Sequence, residues 1–398
     1  MRPNKEPCLS LHSTLRRSLR TLRFSAAIPL AAACALALTG CSDDDKQVVD
    51  DPTVSLLPKQ LVVGHRGAPA WRPEHTIASY TKAIADGADI IEPDVVSTKD
   101  GYLVARHEND ITGTTNVSTV TKYADRKTTK TVDGVQITGW FTEDFTLAEL
   151  KELRARERIP QVRPDNTQYN DQFEIPTLTE IIALAEQKSA ETGRTIYIFP
   201  ETKHPTYFQS IGLPLEDRLI NELKAHDFTA TKTKVFIQSF ELANLKYIRS
   251  KIGTSQPNWV LVQLLDDAAK QPYDFVAAGD KRTYGDLTTA ESLKDIATYA
   301  DSIGPYKMHL ISVDGSGNLM PASDVVRNAH LNKMLVIPWT FRPENTFLPA
   351  SLKSTGTDNT RNPEGSVTEI QSYLKAGIDG FFTDDPAIGR QAVDTFQR

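Results

Sequence analysis

From Gln60 onward, short and nearly unbroken apolar runs alternate with stretches of helical periodicity. The runs are Leu61 to Gly64, Asp89 to Val95, Thr195 to Glu201, Lys234 to Phe240, Trp259 to Leu265, Asp301 to Gly304, Met334 to Thr340 and Ile378 to Thr383. Apolar residues at successive positions, without in-and-out alternation, suit parallel strands covered on both faces. Thr177 to Thr192, Leu215 to His226 and Glu241 to Lys251 carry amphipathic helices between them. Eight strands with intervening helices predict an α/β fold closed as a (β/α)₈ barrel, a TIM barrel, over residues 60–392. One stretch breaks the rhythm. Residues 110–173 are polar and Thr-rich, with a single helix start marked by the capping box Thr146-Leu147-Ala148-Glu149. So long an insertion directly after the second strand is expected to form a small cap over the barrel mouth.

The first forty residues follow another pattern. Arg16, Arg17, Arg20 and Arg23 precede an apolar run from Ala26 to Leu38, which closes on Leu38-Thr39-Gly40-Cys41. This reads as a lipoprotein signal peptide over residues 1–40, with Cys41 as the lipidation site. Cys8 and Cys34 lie in the leader, so the mature chain has one cysteine and no internal disulfide. The leader holds six Lys or Arg and one Glu, and its removal takes the formal net charge from −6 to −11. So acidic a protein is a poor partner for nucleic acid or for an anionic bilayer, which leaves the acyl chains as its link to a membrane. Residues 41–59 are Asp-rich, lack helical period and read as a flexible linker. Ser42, where Asp would signal inner-membrane retention, points to the periplasmic face of the outer membrane. No protein partner is implied.

Chemistry concentrates in a few short segments. Glu92 and Asp94 are two apart in an apolar strand, so both side chains leave one face, and Pro93 between them is expected to end the ladder there. Glu201 and Lys203 repeat the spacing at the end of the third strand. Three acidic groups at one barrel mouth repel each other unless a cation neutralises them. An all-oxygen set favours calcium or magnesium, and no Cys-His cluster in the mature chain supports structural zinc. The plainer alternative is that the carboxylates pair with Arg and Lys around the rim. His65 ends the first strand and His107 ends an expected hairpin after the second, so both can face the same opening. Beside Arg66, they fit a general acid and a general base on either side of a phosphorus atom.

Taken in order, His65-Arg66-Gly67, Pro73-Glu74-His75-Thr76, Glu92-Pro93-Asp94, Thr98-Lys99-Asp100-Gly101, Pro200-Glu201-Thr202-Lys203, Gln238-Ser239-Phe240, Trp339-Thr340 and Gly380-Phe381-Phe382-Thr383-Asp384 resemble the glycerophosphodiester phosphodiesterase family. With the lipobox, the resemblance is to its periplasmic lipoprotein branch. The resemblance implies a divalent cation on Glu92, Asp94 and Glu201, calcium first and magnesium as the alternative. It also implies acid and base roles for His65 and His107, and a phosphate held by Arg66 and Lys203. Glu74 takes a supporting place among the phosphate-binding residues, and Phe240 and Trp339 pack on the glycerol or head group. The implied reaction is hydrolysis of glycerophosphodiesters, such as glycerophosphocholine, to glycerol 3-phosphate and an alcohol. Two alternatives stand beside it: a phospholipase C or D type enzyme on intact lipids, and a lipid-anchored binding protein or adhesin. The chain departs from the family pattern at His75, where most members have Asn, and at Glu108, where most have Asp.

Overall fold

The computed structural model describes residues 51–397; the leader, Cys41 and Ser42 lie outside the described residues. Eight parallel strands pair in sequence order: Leu61–Gly64, Ile90–Ile91, Tyr197–Ile198, Val235–Ser239, Trp259–Leu265, Ser302–Pro305, Leu335–Val336 and Gly380–Thr383. The eighth strand pairs with the first (Leu61 opposite Gly380) and also receives the seventh, where the Asp379 N–H donates to the Val336 carbonyl at 2.9 Å. The sheet is therefore closed, as the uninterrupted apolar runs require. Val63, Ile90, Phe199, Phe236, Val262, Ile337 and Phe382 fill the inside as a separate cluster, while a larger core lies between strands and helices.

The ladder does not stop at Pro93. A proline lacks the N–H for one rung, and both the second and third runs break at their prolines, Pro93 and Pro200. The carbonyls still accept: Glu201 N–H donates to Pro93 at 3.1 Å and Gln238 N–H to Pro200 at 2.9 Å. Pairing resumes in Asp94–Ser97 and Glu201–Thr202, with Asp94 opposite Glu201 and Glu201 opposite Gln238. The second of these segments lies beside the fourth strand, and the first turns back as a hairpin with Leu103–Ala105, which delivers His107.

Residues 110–173 hold a hairpin (Thr128–Val132 with Val135–Gly139), short 3₁₀ turns and the helix Leu147–Leu150, whose Thr146 and Glu149 make both capping-box bonds. Val117, Tyr123, Trp140, Phe141, Phe145, Leu150 and Leu153 are buried from this stretch. Their irregular spacing follows 3₁₀ turns and single bridges, so no helical or strand period could reveal them.

At the opposite end, the closed floor of the barrel is tied to the start of the described chain. Leu56 N–H and Ser55 Oγ donate to Asp379 Oδ1 at 2.6 and 3.0 Å, and His330 Nδ1 lies 2.9 Å from the Pro52 carbonyl. Residues 51–57 of the stretch read as a linker thus run across the floor as a strap.

Candidate active site

The mouth opens into a cavity of about 550 Å³ whose wall includes His65, Arg66, Glu92, Asp94, His107, Glu201, Lys203, Phe240 and Trp339. The first strand ends in a sharp reversal, with Arg66 at φ 57° and Gly67 at φ 96°. A Cβ on Gly67 would stand 2.4 Å from Ser79 Oγ, so only glycine fits. The reversal points the Arg66 N–H at Glu92 Oε2, 2.9 Å away, while Gln238 Nε2 donates to Glu92 Oε1 at 2.8 Å.

Glu92, Asp94 and Glu201 are buried, and an oxygen of each lies within 4.8 Å of the others. Burial pushes all three carboxyls up, and for Glu92 the adjacent Asp94 and Glu201 push further. Asp94 rises to about 6 and Glu201 to about 7, although Lys203 and Arg66 stand beside them. Lys203 Nζ is 2.9 Å from Glu201, and Arg66 Nε 3.8 Å from Asp94, so the rim pairing weighed from the sequence is also present. These cations do not complete the site, because Asp94 Oδ1 is buried without a hydrogen-bond partner. Three hard oxygen donors around an unsatisfied atom fit a divalent cation.

Each histidine has one ring nitrogen held by a carboxylate. His65 Nδ1 is 2.5 Å from Asp384 Oδ1, and His107 Nδ1 is 2.7 Å from Glu108 Oε1. Burial, then the Arg66 charge, pushes His65 down to about 3, against the opposing pull of Asp384. Loss of water at the cavity wall, then Arg66 and Lys203, holds His107 well below the usual imidazole range. Its Nε2 lies 3.4 Å from Lys203 Nζ, which can only donate, so the free nitrogen of neutral His107 carries a lone pair.

Glu74 does not line the cavity. It is buried behind Arg66, accepting from Arg66 Nη1 at 3.1 Å and from Arg158 Nε at 2.8 Å, so its contact is with the arginine and not with phosphate. Phe240 and Trp339 meet edge to face at 5.7 Å between centroids, and the Lys203 ammonium sits 5.6 Å from the Phe240 ring. His75 is fully buried, bonding Tyr80 Oη at 2.7 Å and Asp94 Oδ2 at 3.0 Å.

Sequence reasoning missed several contributors. Arg163, from the cap, binds Glu344 at 2.6 Å and Asp384 at 2.6 Å, and Arg342 reaches Asp384 at 3.0 Å. Against burial, which raises it, these two arginines hold the Asp384 carboxyl well below the ordinary range. Arg106 is fully buried and donates to the Glu74 and His75 carbonyls, fixing the loop that carries both. Only Arg106, a charged residue directly after the apolar strand Leu103–Ala105, carried a local signal.

A profile of the glycerophosphoryl diester phosphodiesterase family matches residues 65–388. A glycerophosphodiester phosphodiesterase of Arabidopsis thaliana is 34% identical over 352 residues, covering 85% of this chain and 87% of that protein. One from Haemophilus influenzae is 27% identical over 378 residues, covering 91% and 96%. Among solved structures, an Oleispira antarctica phosphodiesterase in complex with the product sn-glycerol-3-phosphate has a TM-score of 0.51 at 18% identity, covering 85% of this chain and 98% of that one, and shares the fold.

Proposed function

Because this chain belongs to the glycerophosphoryl diester phosphodiesterase family, and so is a hydrolase that releases glycerol 3-phosphate from glycerophosphodiesters, we propose that His107 and His65 serve as its general base and general acid. The observation that carries this reading is that both imidazoles open on one cavity, each with its other nitrogen held by a carboxylate. Arg66 and Lys203 bind the phosphodiester anion. Its negative charge offsets Arg66, which after burial depresses both imidazoles, so substrate binding favours a proton on His65. The Nε2 of His107 takes a proton from the attacking oxygen as that oxygen bonds to phosphorus: either a water, which gives glycerol 3-phosphate directly, or the neighbouring glycerol hydroxyl, whose cyclic phosphate a water then opens to glycerol 3-phosphate. The bond from phosphorus to the leaving oxygen breaks, and His65 returns a proton to that oxygen, giving the free alcohol. Glu92, Asp94 and Glu201 would hold the divalent cation, which supplies positive charge to the phosphoryl oxygens when bound. Three protein carboxylates suit calcium better than magnesium, which keeps more water and takes fewer of them.

Deacylated phospholipids such as glycerophosphocholine are the substrates of this reading, and a lipid on Cys41 keeps the enzyme at the periplasmic face of the outer membrane. Phosphorus NMR of product formation tests the chemistry. His65→Ala and His107→Ala should each lower turnover by about 10²-fold to 10⁴-fold with the fold intact, and wild-type rates in either would refute its assignment. Cys41→Ala should leave the protein unlabelled by radioactive palmitate and free of the membrane fraction.

A further inference from the structure

Beyond the two catalytic imidazoles, a third histidine is built into the cavity wall. His204 Nε2 lies 2.8 Å from Glu108 Oε2, and its Nδ1 lies 2.6 Å from Asp133 Oδ2. Glu108 in turn holds His107 by its other oxygen at 2.7 Å. Asp133 sits at the tip of the cap hairpin, 71 positions from His204 in sequence and adjacent in space. Asp133 (φ 46°) and Gly134 (φ 79°) make the two-residue turn of this hairpin, where positive φ at both positions is ordinary, whereas His204 takes φ 49° outside any such turn. Such backbone persists where surrounding contacts enforce it, and it gathers at functional sites.

We propose that Asp133 and His204 are positioning residues for the reaction: the cap holds a doubly protonated His204, which clamps Glu108, which fixes the His107 ring with its lone pair toward the substrate. The inference rests on the assignment of His107 as base. Two carboxylates can only accept, so both nitrogens of His204 must donate. Although burial opposes the charge, the bonds to Asp133 and Glu108 raise His204 to about 9. Burial likewise pushes Glu108 up, but the bonds from His107 and His204 hold it far below the usual carboxylate range. The charges facing His107 are Arg66, Lys203, Glu108 and, behind Arg66, Glu74; those facing His204 are Asp133 and Glu108. Shared between two rings, Glu108 supports an imidazolium at His107 less than an undivided carboxylate would, which keeps His107 ready to accept a proton.

The test is the pH profile of kcat/KM for Asp133→Asn and His204→Gln on a glycerophosphodiester, read at the limb that is lost in His107→Ala. Asparagine tolerates positive φ, so Asp133→Asn keeps the turn. In both variants the charge at His204 falls or disappears and Glu108 returns to His107. That limb should move to higher pH by about half a unit, with kcat lower on the order of 10-fold. Variants that melt like wild type yet keep the limb in place, or move it to lower pH, overturn the proposal. Wild-type turnover in His107→Ala would instead remove the acid–base reading on which it stands.

Discussion

His65 and Asp384 lie 319 positions apart, and the imidazole Nδ1 of the first meets the carboxylate Oδ1 of the second at 2.5 Å. The other oxygen of that carboxylate takes Arg163 from the cap and Arg342 from the loop after the seventh strand, so three distant segments converge on one acid. Asp384→Asn should lower kcat by about 10²-fold, because Arg163 and Arg342 claim the amide oxygen and turn its NH2 group toward His65 Nδ1, which must then accept and takes the wrong tautomer. It should also lower stability by roughly 3–5 kcal/mol, because Arg163 is left buried beside half of its charge partners. Steady-state kinetics and urea melts check both effects.

The same carboxylate makes part of the stability acid-sensitive. Asp384 titrates below the value of about 3.9 it has when unfolded. Its contribution is complete above that value and is lost as the pH falls through the folded one. The difference in Tm between wild type and Asp384→Asn should therefore be largest above about pH 4 and shrink as the pH falls further, in scanning calorimetry across that range.

Cation binding should stabilise the protein most where the acidic trio is ionised. Asp94 at about 6 and Glu201 at about 7 hold protons below neutrality, and those protons compete with the cation. Calcium should raise the Tm more at pH 8 than at pH 5, and chelation should abolish turnover. Restoring calcium and magnesium separately tells which supports the rate, and Glu92→Gln should lose both responses.

Arg66 is held by Glu74 and is itself part of the cavity wall. Arg66→Lys keeps a positive charge but loses the forked donor, so KM should rise roughly 10-fold to 100-fold. Arg158 touches Glu74 from outside at 2.8 Å, and Arg158→Ala should have a much smaller effect. Parallel KM measurements on the two variants separate phosphate binding from support.

Much of this was legible along the chain. Unbroken apolar runs announced the buried parallel strands, and the two-residue spacings of Glu92 with Asp94 and Glu201 with Lys203 placed them on shared faces. The expectation that the ladder ends at Pro93 failed because a proline removes one donor and keeps its carbonyl, so a parallel neighbour can skip a rung and resume. Arg163, Arg342 and Glu344 were invisible for a different reason. In sequence they look like ordinary polar loop residues, and only the fold shows that Arg163 and Glu344 are about 95% buried and paired. The support of an active site by side chains from remote loops leaves no periodic trace.

The strap formed by residues 51–57 gives the barrel a direction. It crosses the floor, where Asp379 and His330 grip it, and the reactive opening lies at the other pole. The described chain therefore joins the barrel at the pole away from the residues that carry the chemistry.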